Sequence, residues 1–143
     1  MYRGARTWGA GVAVLGACVF AAPAAAKLKL PAQRTSPSGN FFTLEAYDAP
    51  GSADRDAEFE MKVCTSKHTP ADTAIDPALF TVRLAKGGAV PESIAAAKSP
   101  AMAFKPLKPL QCTEGWLGFV IPKGESVSAL VYDYKGAISW VVG

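Results

Sequence analysis

One histidine, His68, and three cysteines in 143 residues leave little material for a zinc site, which takes several such ligands. No Gly-x-Ser-x-Gly elbow is present. Ser66 or Thr69 beside His68, with Asp72 nearby, has the residue types of a hydrolytic triad. Closeness in sequence is not triad geometry, and this turn-rich stretch reads as a solvated loop. Calcium prefers oxygen ligands, and Asp48, Asp54 and Asp56 lie in one connection, Asp72 and Asp76 in another. Their spacing matches no EF-hand and Arg55 sits inside the first group, so they read as carboxylates that solubilise loops. Internal repeats and a Leu-Pro-x-Thr-Gly sorting motif are missing too. No catalytic residue, cofactor or metal ligand is predicted.

Acidic residues are absent from the first 26 positions, and what stands there is organised. Arg3 and Arg6 precede an apolar stretch from Trp8 to Phe20, which runs into Ala22-Pro23-Ala24-Ala25-Ala26. A basic start, an apolar middle and small residues at the end are the three parts of a signal peptide, here residues 1–26. The apolar stretch is short for a spanning helix of ~20 residues, and no later segment approaches that length without charges. The arginines are not adjacent, which removes the twin-arginine route. Leu15-Gly16-Ala17-Cys18 resembles a lipobox, making Cys18 a candidate lipidation site. The apolar residues after Cys18 argue instead for simple secretion, and both outcomes stay open.

Removal of 26 of the 143 residues leaves 117, enough for one domain with a modest core. The signal takes two of the 15 basic residues and none of the 12 acidic ones, so the remainder carries about +1. That balance gives no electrostatic reason to expect nucleic acid or an anionic membrane as a partner. Cys64 and Cys112 remain as an even pair in an exported chain and are read as a disulfide.

Residues 27–40 hold prolines, serines and no periodicity, and are predicted to be a flexible leader. The domain is predicted over 41–143, as short strands between Gly-, Pro- and Asp-rich turns. These strands are 41–47, 58–64, 80–84, 115–121, 127–134 and 137–142. In the second, Phe59, Met61 and Val63 alternate with Glu58, Glu60 and Lys62, the pattern of a sheet buried on one face. Cys64 has the parity of Glu60 and Lys62, which puts the bridge on the outer face or at a strand end. Residues 90–109 form an irregular crossover with at most a short helix near Ala95-Ala96-Ala97-Lys98, since Pro100, Pro106 and Pro109 oppose regular structure. The expected fold is an all-β, antiparallel immunoglobulin-like sandwich of about six to eight strands, a small closed barrel being the alternative.

Met61-Lys62-Val63-Cys64, Phe80-Thr81-Val82, Cys112-Thr113-Glu114-Gly115-Trp116-Leu117-Gly118-Phe119-Val120-Ile121-Pro122, Val131-Tyr132 and Trp140 together resemble a secreted group. They are similar to actinobacterial immunoglobulin-like domains of unknown function, related in fold to a mycobacterial secreted immunoprotective antigen. The resemblance covers about 41–143, and its most specific piece is Cys-x-x-Gly-Trp-x-x-Phe-x-x-Pro. It implies a β-sandwich and carries over no catalytic residue.

The residues thus predict an exported, disulfide-stabilised domain that is not an enzyme, at the cell envelope or outside the cell. Its partner would be a protein or a cell-wall component. Trp116 and Trp140 are expected in the core, with Gly115 and Gly118 allowing close backbone approach beside a large ring. Lys105, Lys108 and Tyr134 form the candidate contact surface, Lys105-Pro106-Leu107-Lys108-Pro109 being extended and cationic, while a rigid spacer is the other reading of that segment. A carbohydrate-binding module is the alternative, and it requires an exposed pair among Trp116, Trp140 and Tyr134.

Overall fold

The computed structural model describes residues 28–51, 55–70 and 73–143. Ten strands are formed: β1 Ala32–Thr35, β2 Phe41–Asp48, β3 Asp56–Cys64, β4 Ala74–Ile75, β5 Phe80–Leu84, β6 Ala89–Pro91, β7 Lys105–Pro106, β8 Cys112–Val120, β9 Val127–Asp133 and β10 Ala137–Val141. They make two four-stranded sheets, ordered β1-β2-β3-β8 and β10-β9-β5-β6, and a ribbon of β4 with β7. All pairings between these strands are antiparallel. The chain changes sheets after β3, after β6 and after β8, which is the connectivity of an immunoglobulin-type sandwich.

The two-residue period of β3 explains which face is buried. Ala57, Phe59, Met61 and Val63 point inward and are fully buried, while the alternate residues are half-exposed. Phe42, Leu44, Leu117 and Phe119 from the same sheet meet Phe80, Val82, Leu130, Tyr132 and Trp140 from the other. Phe42 meets Tyr132 across the interface at 4.6 Å, and within the first sheet Phe59 lies edge-on to Phe119 at 5.6 Å. Offset and edge contacts of this kind add stability beyond area burial.

One expectation is corrected and one is refined. Within 27–40, Ala32–Thr35 is a strand paired with Phe41–Leu44, not flexible leader. Its attachment is non-local: the buried Trp140 Nε1–H donates to the carbonyl of Ala32 at 2.9 Å, and the Arg34 guanidinium reaches the Ser139 carbonyl. The crossover is also more ordered than its prolines suggest. Ile94–Ala96 is a single 3-10 turn, no α-helix forms among the described residues, and Lys105–Pro106 is a short strand. Proline is tolerated there because β7 is an edge with one partner.

The crossover covers the free edge of β8. Ser93 N–H donates to the Gly118 carbonyl, Trp116 N–H to the Pro100 carbonyl, and Met102 N–H to the Trp116 carbonyl. A Cβ on Gly118 would lie 2.2 Å from the carbonyl carbon of Ala96, and one on Gly115 2.6 Å from the Met102 nitrogen. Close approach, as expected from the sequence, is why glycine occupies both positions.

Candidate functional site

Cys64 ends β3 and Cys112 begins β8, and the register places them directly opposite each other with Cα atoms 4.1 Å apart. They are bonded as a disulfide. As their parity predicts, the bridge lies on the outer face at the strand end, fastening the end of the crossover to β3.

The next residue extends the fastening. Thr65 is buried, and its N–H donates to the Gln111 carbonyl at 2.8 Å. Its hydroxyl is shared between the carbonyls of Lys108 at 2.6 Å and Gln111 at 3.1 Å, and it accepts the Gln111 N–H at 2.9 Å. Lys108 N–H in turn donates to the Gln111 side-chain carbonyl. The turn Lys108–Gln111 is therefore held by four hydrogen bonds to Thr65 and one of its own, within a few residues of a covalent bond. At its tip Leu110 is 74% exposed and has φ of 59°, a left-handed conformation in which a side chain with a Cβ is unfavourable.

Three loops share this end of the sandwich. Thr69 Oγ1–H donates to Asn40 Oδ1 at 2.9 Å, tying the 65–70 loop to the 36–40 loop. The β9–β10 hairpin stands beside them, since a Cβ on Gly136 would meet the ring of Pro37. Lys105 and Lys108 are exposed, as is Tyr134, which Lys135 overlies at 5.3 Å from the ring. The structure thus brings the three predicted contact residues to the outside of one region. Leu110 and Phe104, exposed in the same segment, were missed by sequence reasoning. The prolines at 100, 106 and 109 concealed them, because an apolar residue in a Pro-rich stretch looks like spacer.

Among the described residues no hydrogen bond joins the His68 ring to Ser66 or Thr69, and Asp72 lies outside them. Ser66 Oγ accepts the His68 N–H, and Thr69 Oγ1 accepts the Ser66 N–H while bonding Asn40, so both hydroxyls shape the loop itself. The aspartates are separated: Asp48 pairs with Lys98, Asp76 caps the turn at Ala78, and Asp54 and Asp72 lie outside the described residues. Among the described residues no three His, Cys, Asp or Glu side chains converge. Cys18 also falls outside the described residues.

Trp140 is in the core as expected, but Trp116 is not. Trp116 is half-buried on the outer face of β8, opposite Glu60, with the Lys98 ammonium 4.6 Å over its ring. Lys98 also bridges Asp48 and Glu58, and its pKa is raised, first by the hydrogen bond it donates to Asp48. A surface cation–π contact and paired charges fasten the crossover here, so the ring is occupied by the chain's own lysine. With Trp140 buried, these positions do not form an exposed aromatic pair.

The opposite end holds a cleft of about 570 Å³ with apolar walls that include Leu28, Leu30, Tyr47, Val127 and Val142. Arg55 stands in it and donates to the carbonyls of Gly51, Pro122 and Glu125, closing the β8–β9 turn. The chain enters the domain at this end, away from the disulfide.

Compared with known proteins, the chain matches no family profile and no curated protein. Among solved structures it is similar to the yjhA protein of Bacillus subtilis, with 18% identity, a TM-score of 0.49, and coverage of 71% of this chain and 76% of that one. No helix among the described residues is long and apolar enough to cross a membrane.

Proposed function

We propose that this chain is an exported, disulfide-stabilised binding domain of the cell envelope or extracellular space, without catalytic activity, making contact through the loop end held by Cys64–Cys112. The observation that carries the reading is the bridge itself. It joins adjacent strands at the base of an exposed, rigid tip, and disulfides persist in oxidising compartments. The basic, apolar and small-residue order of residues 1–26 supports export, with simple secretion favoured and acylation at Cys18 as the second route. The Cys-x-x-Gly-Trp-x-x-Phe-x-x-Pro resemblance to secreted actinobacterial immunoglobulin-like domains points the same way. A carbohydrate module is the weaker reading, because Trp140 is buried and Trp116 carries Lys98.

Expression of the full chain in an exporting bacterium tests this. The expected product is found outside the cytoplasm, begins at Lys27 or at acylated Cys18, and yields a Cys64–Cys112 peptide only without reductant. Intracellular product with free thiols overturns the proposal.

A further inference from the structure

We propose that the loop end docks on an anionic lipid surface, with Leu110 entering the interface and Lys105 and Lys108 facing the headgroups. This names a partner for the same end and rests on the reading above. The near-neutral charge of the whole domain conceals its distribution. Three stretches of sequence contain no acidic residue, 27–44, 61–71 and 93–113, and among their cations are Arg34, Lys67, Lys105 and Lys108. The fold brings parts of all three to one end, joined by the Asn40–Thr69 and Thr65–Lys108 hydrogen bonds. Of the described acids near this end, Glu114 lies opposite Lys62 in the strand register, Asp133 shares a hairpin with Lys135, and Asp76 caps its own turn. Among the described residues Lys67, Lys105 and Lys108 form no ion pair, so their charge is open to an anionic partner.

The apolar component is of the matching kind. Met102 and Leu107 are buried and hold the segment down, leaving Phe104 at 62% and Leu110 at 74% exposure on either side of the two lysines. Apolar residues beside lysine form the pattern of interfacial membrane binding, in which the apolar tip enters the acyl boundary and the cations meet anionic headgroups. Leu110 stands exposed at the tip, a depression beside the neighbouring hairpin holds about 100 Å³, and the groove of about 490 Å³ by Phe41 and Cys64 is shallow and open and does not include the tip. A convex apolar tip suits a deformable lipid surface better than a folded protein, which would need a preformed socket. Rigidity favours docking because no loop entropy is lost on binding. Leu28 and the chain entry lie at the other end, so nothing in the described chain covers the tip.

Vesicle sedimentation tests the proposal, using protein exported from the full chain and shown to be oxidised and folded by near-ultraviolet circular dichroism. The probes are vesicles of phosphatidylglycerol and phosphatidylcholine in equal parts, and of phosphatidylcholine alone. Expected is preferential binding to the anionic vesicles that falls with added salt. Each lysine contributes about fivefold, so Lys105→Glu with Lys108→Glu should lower partitioning by at least ~25-fold. Leu110→Gly removes the apolar tip yet suits φ of 59°, and should weaken binding about tenfold without lowering the melting temperature. Every variant shares the same N-terminus, so any contribution from it cancels. Equal binding to both vesicles, no binding, or variants that bind like the parent overturn the proposal, as does insensitivity of the parent to salt. Capture of an acidic protein without vesicle binding overturns it as well. A vesicle-negative protein that is nevertheless exported and oxidised removes only the lipid partner and leaves the proposed function standing.

Discussion

Replacing both bridge cysteines, Cys64→Ser with Cys112→Ser, isolates what the disulfide contributes. Both residues sit on the outer face, Cys112 exposed and Cys64 half-exposed, so serine loses little packing. The native register of β3 and β8 extends over nine pairs, and Thr65 clamps the next turn, so the folded state should persist. The loss therefore falls on the unfolded chain, which regains the freedom of a loop with a sequence separation of 48. The chain-entropy relation gives about 14 cal/mol/K for that loop, or ~4 kcal/mol at 25 °C. Against a typical domain stability of ~5–15 kcal/mol this is a large fraction. Equilibrium unfolding in urea should show the midpoint falling accordingly, with a steeper slope because the freed unfolded chain exposes more surface. A loss below about 1 kcal/mol, or an unchanged slope, would refute the reasoning. It would mean that the unfolded chain already keeps these strand ends together.

Gly118→Ala should cost ~2–3 kcal/mol, since the added methyl meets backbone of Ala96 and Ala97 and not a movable side chain; an unchanged melting temperature would show that the crossover can slide. Trp140→Phe should cost ~2–4 kcal/mol by opening a cavity and orphaning the Ala32 carbonyl. Hydrogen exchange should then accelerate first in β1. Burial pushes the Tyr132 hydroxyl up to about 12, so the folded state keeps this proton while the unfolded chain releases it near 10. Stability is then unaffected by this group below pH 10 and falls between about pH 10 and 12, a loss that Tyr132→Phe should abolish in alkaline melting curves. Lys98→Ala should shift Trp116 fluorescence to the red by uncovering the ring, and no spectral change would disprove the contact.

Much of the sandwich was legible because β3, β5 and β8 carry their period openly. Parity placed Cys64 on the outer face or at a strand end, and the bridge is at both. The same rule, applied to Trp116, would have corrected its assignment. Trp116 alternates with Leu117 and Phe119, so it had to face out, and the general preference of tryptophan for burial was allowed to override a local count. Strand β1 was not legible, because its residues do not alternate and its order comes from Trp140, 108 positions away. The contact end was half legible: Lys105, Lys108 and Tyr134 could be read from charge and ring type, whereas Leu110 depends on a clamp from Thr65, 43 to 46 positions away.

The crossover shows how the remaining signals were present but assigned to the wrong cause. Ala95-Ala96-Ala97 looks like a helix former, since alanine has the best intrinsic propensity. Helix formation needs several turns to repay nucleation, and Pro91 and Pro100 leave no room for them. What small side chains provide here is thinness. The segment lies with its backbone against Gly118, and only glycine on one side and small residues on the other let two main chains approach so closely. The result protects an edge. Without the Ser93, Pro100 and Met102 hydrogen bonds, β8 would present unpaired amides beside the disulfide, a template for pairing with another chain. Glycines in β8, alanines and prolines in the crossover, and Lys98 over Trp116 thus answer one physical requirement: closing a sheet edge with a segment that cannot itself extend the sheet.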